Sequence, residues 1–541
     1  MYNVRICMPK PQRTSQELFP HVIFAVKKQG IHFKVLPLHA KSQFIKMRKL
    51  FLLLLFSVVG LAAIAFDRRY SVEIIPNPYG KSYIYRVVLK DKAGTPYSIT
   101  SPEKFLSLKS VERRRRQGIA IDSTDLPVSP DYIRAIDKRG LSVVGKSKWN
   151  NTLLVKGPNR QELERLRLLP FVKSVLKVWE SKDSIPKPEG RDEVVSKFES
   201  WGTVSNMPYG EGQKQIEAIN GIPLHDAGFR GKGMTIAVLD AGYMNVDKIK
   251  AFSNANIIGT HNFVAVSPTT VYKQMDHGTK VLSTMAMNQP NIFVGTAPDA
   301  SYLLLRSEDY SSENIVEEDY WAEAAEYADS IGADIISSSL GYHHFDDSLV
   351  NHHYWEQDGH TALISRTASM LADKGIVCVN SAGNDGMGSW KRINFPADAD
   401  NILTVGAMTY QGLNSPFSSV GPTADGRVKP DVMAIGSSTS VVSGNGTIQH
   451  NNGTSFSCPC IAGMVACLWQ ALPDKTAKEI IDIVRKAGNN VDHPDNIYGY
   501  GIPDFWKAYQ IGLKAIPSGN SRTTCTTEDK EHQCNVHRQN Q

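Results

Sequence analysis

The stretch "MTIAVLDAG", residues 234–242, decides the fold of this chain. It is a short, nearly continuous apolar run, closed by an acid and a glycine. A strand that reads this way is covered on both faces, because neither side is left for water. Five runs of the same kind lie downstream: "SYLLLR" (301–306), "ADIISSSLG" (333–341), "GIVCVNSAGN" (375–384), "NILTVGAM" (401–408) and "VKPDVMAIG" (428–436). Between them lie helical patterns such as "NIVEEDYWAEAAEYADSIG" (314–332) and "HTALISRTASMLADKG" (360–375). Alternation of this kind over residues 216–513 predicts an α/β domain, a parallel sheet with helices on both faces.

Ligands bind such sheets at the carboxyl ends of the strands, so the residues that end each run matter most. "MTIAVLDAG" ends in Asp240, which by itself reads as a turn or helix cap. "DHGTKVLSTMA" (276–286) places His277 at the start of a helical pattern, where a structural role is the ordinary one. "GIVCVNSAGND" ends in Asn384, in a glycine-flanked turn. "HNNGTSFSCPC" (450–460) packs Ser455, Ser457, Cys458 and Cys460 together at the mouth of a long apolar helix, where serine is also a normal cap. Each signal is weak alone. Together they supply what acyl transfer needs: a nucleophile, an imidazole base, a carboxylate to orient the base, and donors for an oxyanion.

These stretches, in this order, resemble the subtilisin-like serine peptidases, the subtilases. "VLDAG" is similar to the family's Asp box and "DHGT" to its His box. "SSSLG" (337–341) resembles its substrate-binding strand, "SAGN" its oxyanion-hole asparagine, and "GTSFSCP" its Ser box; "VGTAPDA" (294–300) and "YGYGIPD" (498–504) resemble further landmarks. The resemblance implies a subtilisin-like fold and a serine endopeptidase with Asp240, His277 and Ser455 as the catalytic residues. It implies Asn384 in the oxyanion hole and Ser339, Leu340 and Gly341 as the strand on which substrate lies. It selects Ser455 as nucleophile, because that residue comes directly after Gly453-Thr454. Two positions depart from the pattern: Ala241 stands where a hydroxyl residue usually succeeds the aspartate, and Lys280 where a second histidine is common. His277 and Asn384 match the neutral-to-alkaline branch rather than the acid-active one. Catalysis is expected to need no cofactor, and no metal ligands are assigned. Structural calcium occurs in the family, but no loop here earns a ligand assignment. The alternatives are a peptide-binding protein whose site has decayed and a hydrolase acting mainly on esters.

Upstream, residues 80–180 alternate strand-like and helix-like segments, which predicts a small α+β domain. "SYIYRVVLK" (82–90) and "FVKSVLKVW" (171–179) read as strands. "SPEKFLSLKSVERRRRQ" (101–117), "SPDYIRAIDKRG" (129–140) and "NRQELERLRLLP" (159–170) read as helices, the first two starting at a Ser-Pro pair. The "RRRR" at 113–116 reads as a solvated helix face, with a processing site as the alternative. Residues 181–215 are rich in Pro, Gly, Ser and charge and read as a linker open to cleavage. By placement and size the small domain resembles a subtilase prosegment, ferredoxin-like in fold. It is expected to inhibit the enzyme intramolecularly until it is cleaved autocatalytically; a substrate-recruiting domain is the alternative.

The formal charge of the 541 residues is +6, but residues 1–46 alone carry eight Lys/Arg against one acid, and Arg48 and Lys49 come next. The body beyond Lys49 is slightly acidic, so no nucleic-acid surface is expected. From Met47, "MRKLFLLLLFSVVGLAAIAF" has two cations, an apolar run and a small-residue end at Ala63-Ile64-Ala65, the layout of a secretory signal peptide over 47–65. Met47 is taken as the initiator and 1–46 as an upstream over-call; a retained signal anchor is the rival. The expected consequences are export to the periplasm or beyond, no stable membrane span after signal removal, protein or peptide substrates, and a monomer. Cys378, Cys458, Cys460 and Cys467 sit in apolar segments and read as buried free thiols. Cys7 precedes the signal. Cys525 and Cys534 lie in the polar tail 514–541, where an oxidising compartment would let them pair with each other.

Overall fold

The computed structural model describes residues 74–77, 80–186, 204–267, 270–273 and 275–514. The signal-like segment 47–65, residues 1–46, the middle of the linker (187–203), and the tail with Cys525 and Cys534 lie outside the described residues, as does Cys7. Among the described residues no helix is long and apolar enough to cross a membrane.

The small domain is built from strands β1 (Tyr83–Leu89), β2 (Ser142–Ser147), β3 (Thr152–Gly157) and β4 (Val172–Glu180). They form an antiparallel sheet in the order β2-β3-β1-β4. Helices α1 (Leu108–Arg116) and α2 (Pro130–Asp137) lie between β1 and β2, and α3 (Arg160–Arg165) between β3 and β4. This is the ferredoxin-like order. Alternation along β1 explains its two faces. Tyr85, Val87 and Leu89 join Leu153, Val155, Ile136 and Leu163 in the domain's own core. Ile84, on the other face, packs with Trp149, Leu154 and Val178 into a cluster that contains Tyr320 and Trp321 of the large domain.

Two local expectations change. The Ser101-Pro102 start yields only a 3-10 turn (Pro102–Lys104), with no side-chain cap from Ser101; α1 begins at Leu108, where the Ser107 hydroxyl accepts from the Ser110 N–H. The arginine run is not a solvated face throughout. Arg113 and Arg114 are buried, at 2% and 1% exposure, and both reach Asp329 of the large domain, at 2.5 and 2.8 Å. Only Arg115 and Arg116 face solvent. A helix-face argument cannot reveal this, because the partner lies more than 200 residues away.

The large domain carries strands β5 (Thr235–Asp240), β6 (Asn256–Asn262), β7 (Ser301–Arg306), β8 (Ile335–Ser338), β9 (Val377–Ser381), β10 (Leu403–Met408) and β11 (Val432–Ile435). All pair in parallel, in the order β11-β10-β9-β8-β5-β7-β6. Six are legible as apolar runs. The edge strand β6, "NIIGTHN", is not, because one side of it faces water and its residues are mixed. Helices α4 (His277–Ala286) and α7 (Thr454–Ala471) cover one face through residues such as Leu282, Met285, Ile461 and Val465. Helices α5 (Val316–Ile331) and α6 (Leu363–Met370) cover the other, through Trp321, Ala325, Ile364 and Ala368.

Helix α5 is also the floor on which the small domain sits. Arg86 grips Asp319 at 2.7 and 2.6 Å. Glu326 accepts from the backbone N–H groups of Lys148 and Trp149. Asp329, wholly buried, takes Arg113, Arg114 and Lys148 together. Burial alone would raise its carboxyl; the three cations hold it at about 2. Removing one member of a buried ion cluster leaves its partners charged and desolvated, which costs about 3–5 kcal/mol. In a Ser455→Ala precursor, Asp329→Ala is therefore expected to lower stability to urea by about that amount, whereas Arg115→Ala changes it by about 0.5 kcal/mol or less. Equal losses for the two variants would refute the docking role of Asp329.

Candidate active site

Parallel register places three chain segments side by side. Ser338 pairs with Leu239 on one side and with Asn380 on the other. The next residues along each strand, Asp240, Ser339 and Ser381, therefore stand level at the carboxyl edge. Ser339 and Ser381 border a cleft of about 260 Å³, also lined by His277, Asn384 and Ser455, and Asp240 lies buried behind it.

Asp240 is fully buried, and a buried carboxylate requires partners. Its Oδ1 accepts from the backbone N–H of Ala241 at 2.7 Å, and both oxygens face His277 Nδ1, at 2.8 and 3.0 Å. With alanine at 241, the main-chain N–H is the one donor that this residue offers the carboxylate. Nδ1–H donating to Asp240 leaves Nε2 as the free nitrogen of the neutral ring. Helix α4 can begin this close to β5 because its second residue is Gly278. A Cβ there would stand 2.5 Å from Gly242 O and 3.0 Å from Asp240 Cβ. Desolvation lowers the proton affinity of His277, but the Asp240 charge and hydrogen bond outweigh it and raise the pKa above that of an ordinary histidine. Lys280 turns away from the ring and pairs with Asp276 at 3.1 Å.

Ser455 is the second residue of α7, so its N–H lies in the first turn and has no acceptor within the helix. Four residues on stands Pro459, which has no N–H to offer the Ser455 carbonyl. Ser339 Oγ fills that place, donating to Ser455 O at 2.9 Å. The Ser455 hydroxyl in turn donates to Ser339 O at 3.4 Å, so in this conformation it is turned away from His277. Asn384 is held by its oxygen. Oδ1 accepts from Thr454 N–H at 2.9 Å and from the Thr454 hydroxyl at 3.1 Å, and the exposed amide nitrogen end is left at the cleft. Leu340 is buried and Gly341 half-buried beside the same cleft.

The other three candidate nucleophiles of this stretch are buried more deeply than Ser455, which is 8% exposed. Ser457 donates to Thr454 O inside the helix. Cys458 and Cys460 are at most 1% exposed. Burial pushes Cys460 up to about 12 and Cys458 well above its usual range, so neither forms a thiolate readily. Cys378 and Cys467 are likewise free and buried. No group of three or more His, Cys, Asp or Glu side chains that could hold a metal occurs among the described residues.

One wall of the cleft escapes the sequence reading: Glu308, Tyr310, Glu313 and Tyr342. Glu308 stands two residues beyond the end of β7. The signal that finds it is the strand end itself, since the search that led from "MTIAVLD" to Asp240 leads from "SYLLLR" to Glu308.

Comparison with known proteins gives the same family from two directions. The profile of the subtilase family matches residues 231–501. The profile of the Peptidase S8 propeptide domain of Bacteroidota matches residues 84–192. Subtilisin NAT of Bacillus subtilis subsp. natto is 28% identical over 307 residues, which cover 56% of this chain and 72% of that protein. M-protease of Shouchella clausii (strain KSM-K16) is 27% identical over 316 residues, covering 58% and 73%. A seven-stranded parallel sheet flanked by helices, a preceding ferredoxin-like propeptide domain and these matches lead to one conclusion: the chain belongs to the subtilase family of serine endopeptidases.

Proposed function

We propose that this protein is an exported endopeptidase that cuts peptide bonds through an Asp240-His277-Ser455 relay and an acyl-enzyme, after shedding its own propeptide. The observation that carries the reading is the Asp240–His277 hydrogen bond of 2.8 Å in the cleft that Ser455 and Asn384 also border. Substrate lies extended along Ser339, Leu340 and Gly341 as an added strand, its main chain held by backbone hydrogen bonds. The Ser455 hydroxyl swings from Ser339 O towards His277 Nε2, which takes its proton as the oxygen attacks the scissile carbonyl. The Asn384 amide and the Ser455 N–H receive the oxyanion, with the positive end of α7 behind them. His277 then protonates the leaving amine, and water releases the acyl group. No cofactor takes part. The segment 47–65 directs export, the domain within 80–180 acts as prosegment and intramolecular inhibitor, the linker 181–215 carries the maturation cut, and the domain over 216–513 works as a monomer.

His277 is the base only when unprotonated, so kcat/KM falls as pH drops through its pKa. Because Asp240 raises that pKa, the acid limb is expected above the ordinary histidine value of about 6.5. A pH–rate profile with its acid limb at or below that value would contradict the pairing. Asp240→Asn should cost roughly 10⁴-fold in kcat. Asn384→Ala should lose about 10²–10³-fold in kcat with KM little changed; a loss confined to KM would argue against an oxyanion role.

Maturation tests the whole reading. A precursor starting at Phe66 is expected to shed a fragment of roughly 120–150 residues, tracked by intact mass over time, and its Ser455→Ala variant is expected to stay whole. If both stay whole while a serine-directed phosphonate labels Ser455, the site is live and self-processing is wrong. If nothing is labelled either, the site is not a working peptidase.

A further inference from the structure

Two carboxylates on the wall of the cleft beside the catalytic groups have nothing to bind. Glu308 and Glu313 are half-buried on its wall, yet neither side chain makes an ion pair or hydrogen bond among the described residues. Several neighbouring acids are engaged. Asp309 approaches Arg306 and accepts from the Ser311 hydroxyl, Glu318 binds His352, and Asp385 accepts from Asn394. Behind the wall, Glu317 is fully buried with its Oε2 unpartnered. A separate feature points the same way. Tyr342 lines the cleft at 2% exposure, and its hydroxyl has no hydrogen-bond partner among the described residues. No lysine or arginine among the described residues lines the cleft.

We propose that Glu308, Glu313 and Tyr342 form a subsite that takes a cationic side chain, lysine or arginine, of the peptide lying on the strand at 339–341. The inference rests on the peptidase reading above and names the substrate class for the same site. Two carboxylates and a hydroxyl offer acceptors to which a cation adds countercharge that a neutral donor lacks, whereas an apolar side chain would leave them desolvated and unpaired. In the empty cleft, burial and the charges of Asp240 and Glu313 push the Glu308 carboxyl up to about 8. Burial pushes Glu313 up to about 7. An ammonium or guanidinium head group supplies the missing countercharge and favours the ionised form of both.

The test uses the mature enzyme produced from the full precursor, assayed at mildly alkaline pH. Its substrates are internally quenched peptides that carry either arginine or citrulline, its neutral isostere, at each of the four positions on the acyl side of the scissile bond. At one position kcat/KM for arginine should exceed that for citrulline by about ten- to a hundredfold, the range of a charge-assisted hydrogen bond. In Glu308→Gln/Glu313→Gln that ratio should fall to near one. The ratio is read within each enzyme, so a loss of rate common to both peptides, such as a changed His277 pKa, cancels. Cleavage with no arginine preference at any position overturns the inference and leaves the peptidase reading intact. So does a preference that survives in the double variant. Failure to cleave any peptide, with no phosphonate label on Ser455, overturns both.

Discussion

In the seven-stranded sheet every strand runs the same way, so every carboxyl end lies along one edge. The register along that edge brings Asp240, Ser339 and Ser381 level although they are widely separated in the chain. The rest of the site depends on this alignment. Asp240 is buried and needs donors, which Ala241 N–H and His277 provide. Ser339 ties the strand edge to α7 through the carbonyl that Pro459 leaves free. Three residues beyond Ser381, Asn384 is locked by Thr454 at the start of the same helix. Helix α7 is thus joined to β8 and to the β9 loop by hydrogen bonds that use the groups its own first turn cannot satisfy.

The small domain is held by a different balance. Its sheet has two buried faces, and only one is closed by its own helices. The other is closed by α5 of the catalytic domain, through apolar contacts around Trp149 and Trp321 and through buried charge pairs at Asp319 and Asp329. Desolvating ions costs free energy that the pairing only partly returns, so such an interface is valuable for registry rather than for strength. Arg113, Arg114 and Lys148 meet one carboxylate, and a shift of the domain by one residue would part all three from it, leaving only Arg114 a buried carboxylate partner, Asp125, in its own domain. That suits a propeptide, which must dock in one orientation and later leave.

Much of this is legible in the order of residues. Apolar runs give away six of the seven central strands; the ends of two of those runs lead to Asp240 and Asn384, and the starts of two helical patterns to His277 and Ser455. The misses have physical causes. Strand β6 has one wet side and no clean pattern. Ser101-Pro102 looks like the cap of α1, while Ser107 makes it, so the helix starts later than its signal. The arginine run looks solvated because a helix-face argument weighs only local neighbours.

Most elements, their order and the residue types that acyl transfer requires are written in short-range patterns, because strand burial and helix caps involve neighbours along the chain. Which groups meet is settled in three dimensions. Packing turned Asn384 by fastening its oxygen to Thr454. It buried Ser457, Cys458 and Cys460 more deeply than Ser455. It also sent two arginines of one run to Asp329 and left Glu308 and Glu313 facing the cleft without partners. Pairing and desolvation act between segments far apart in the chain, and no local pattern records them.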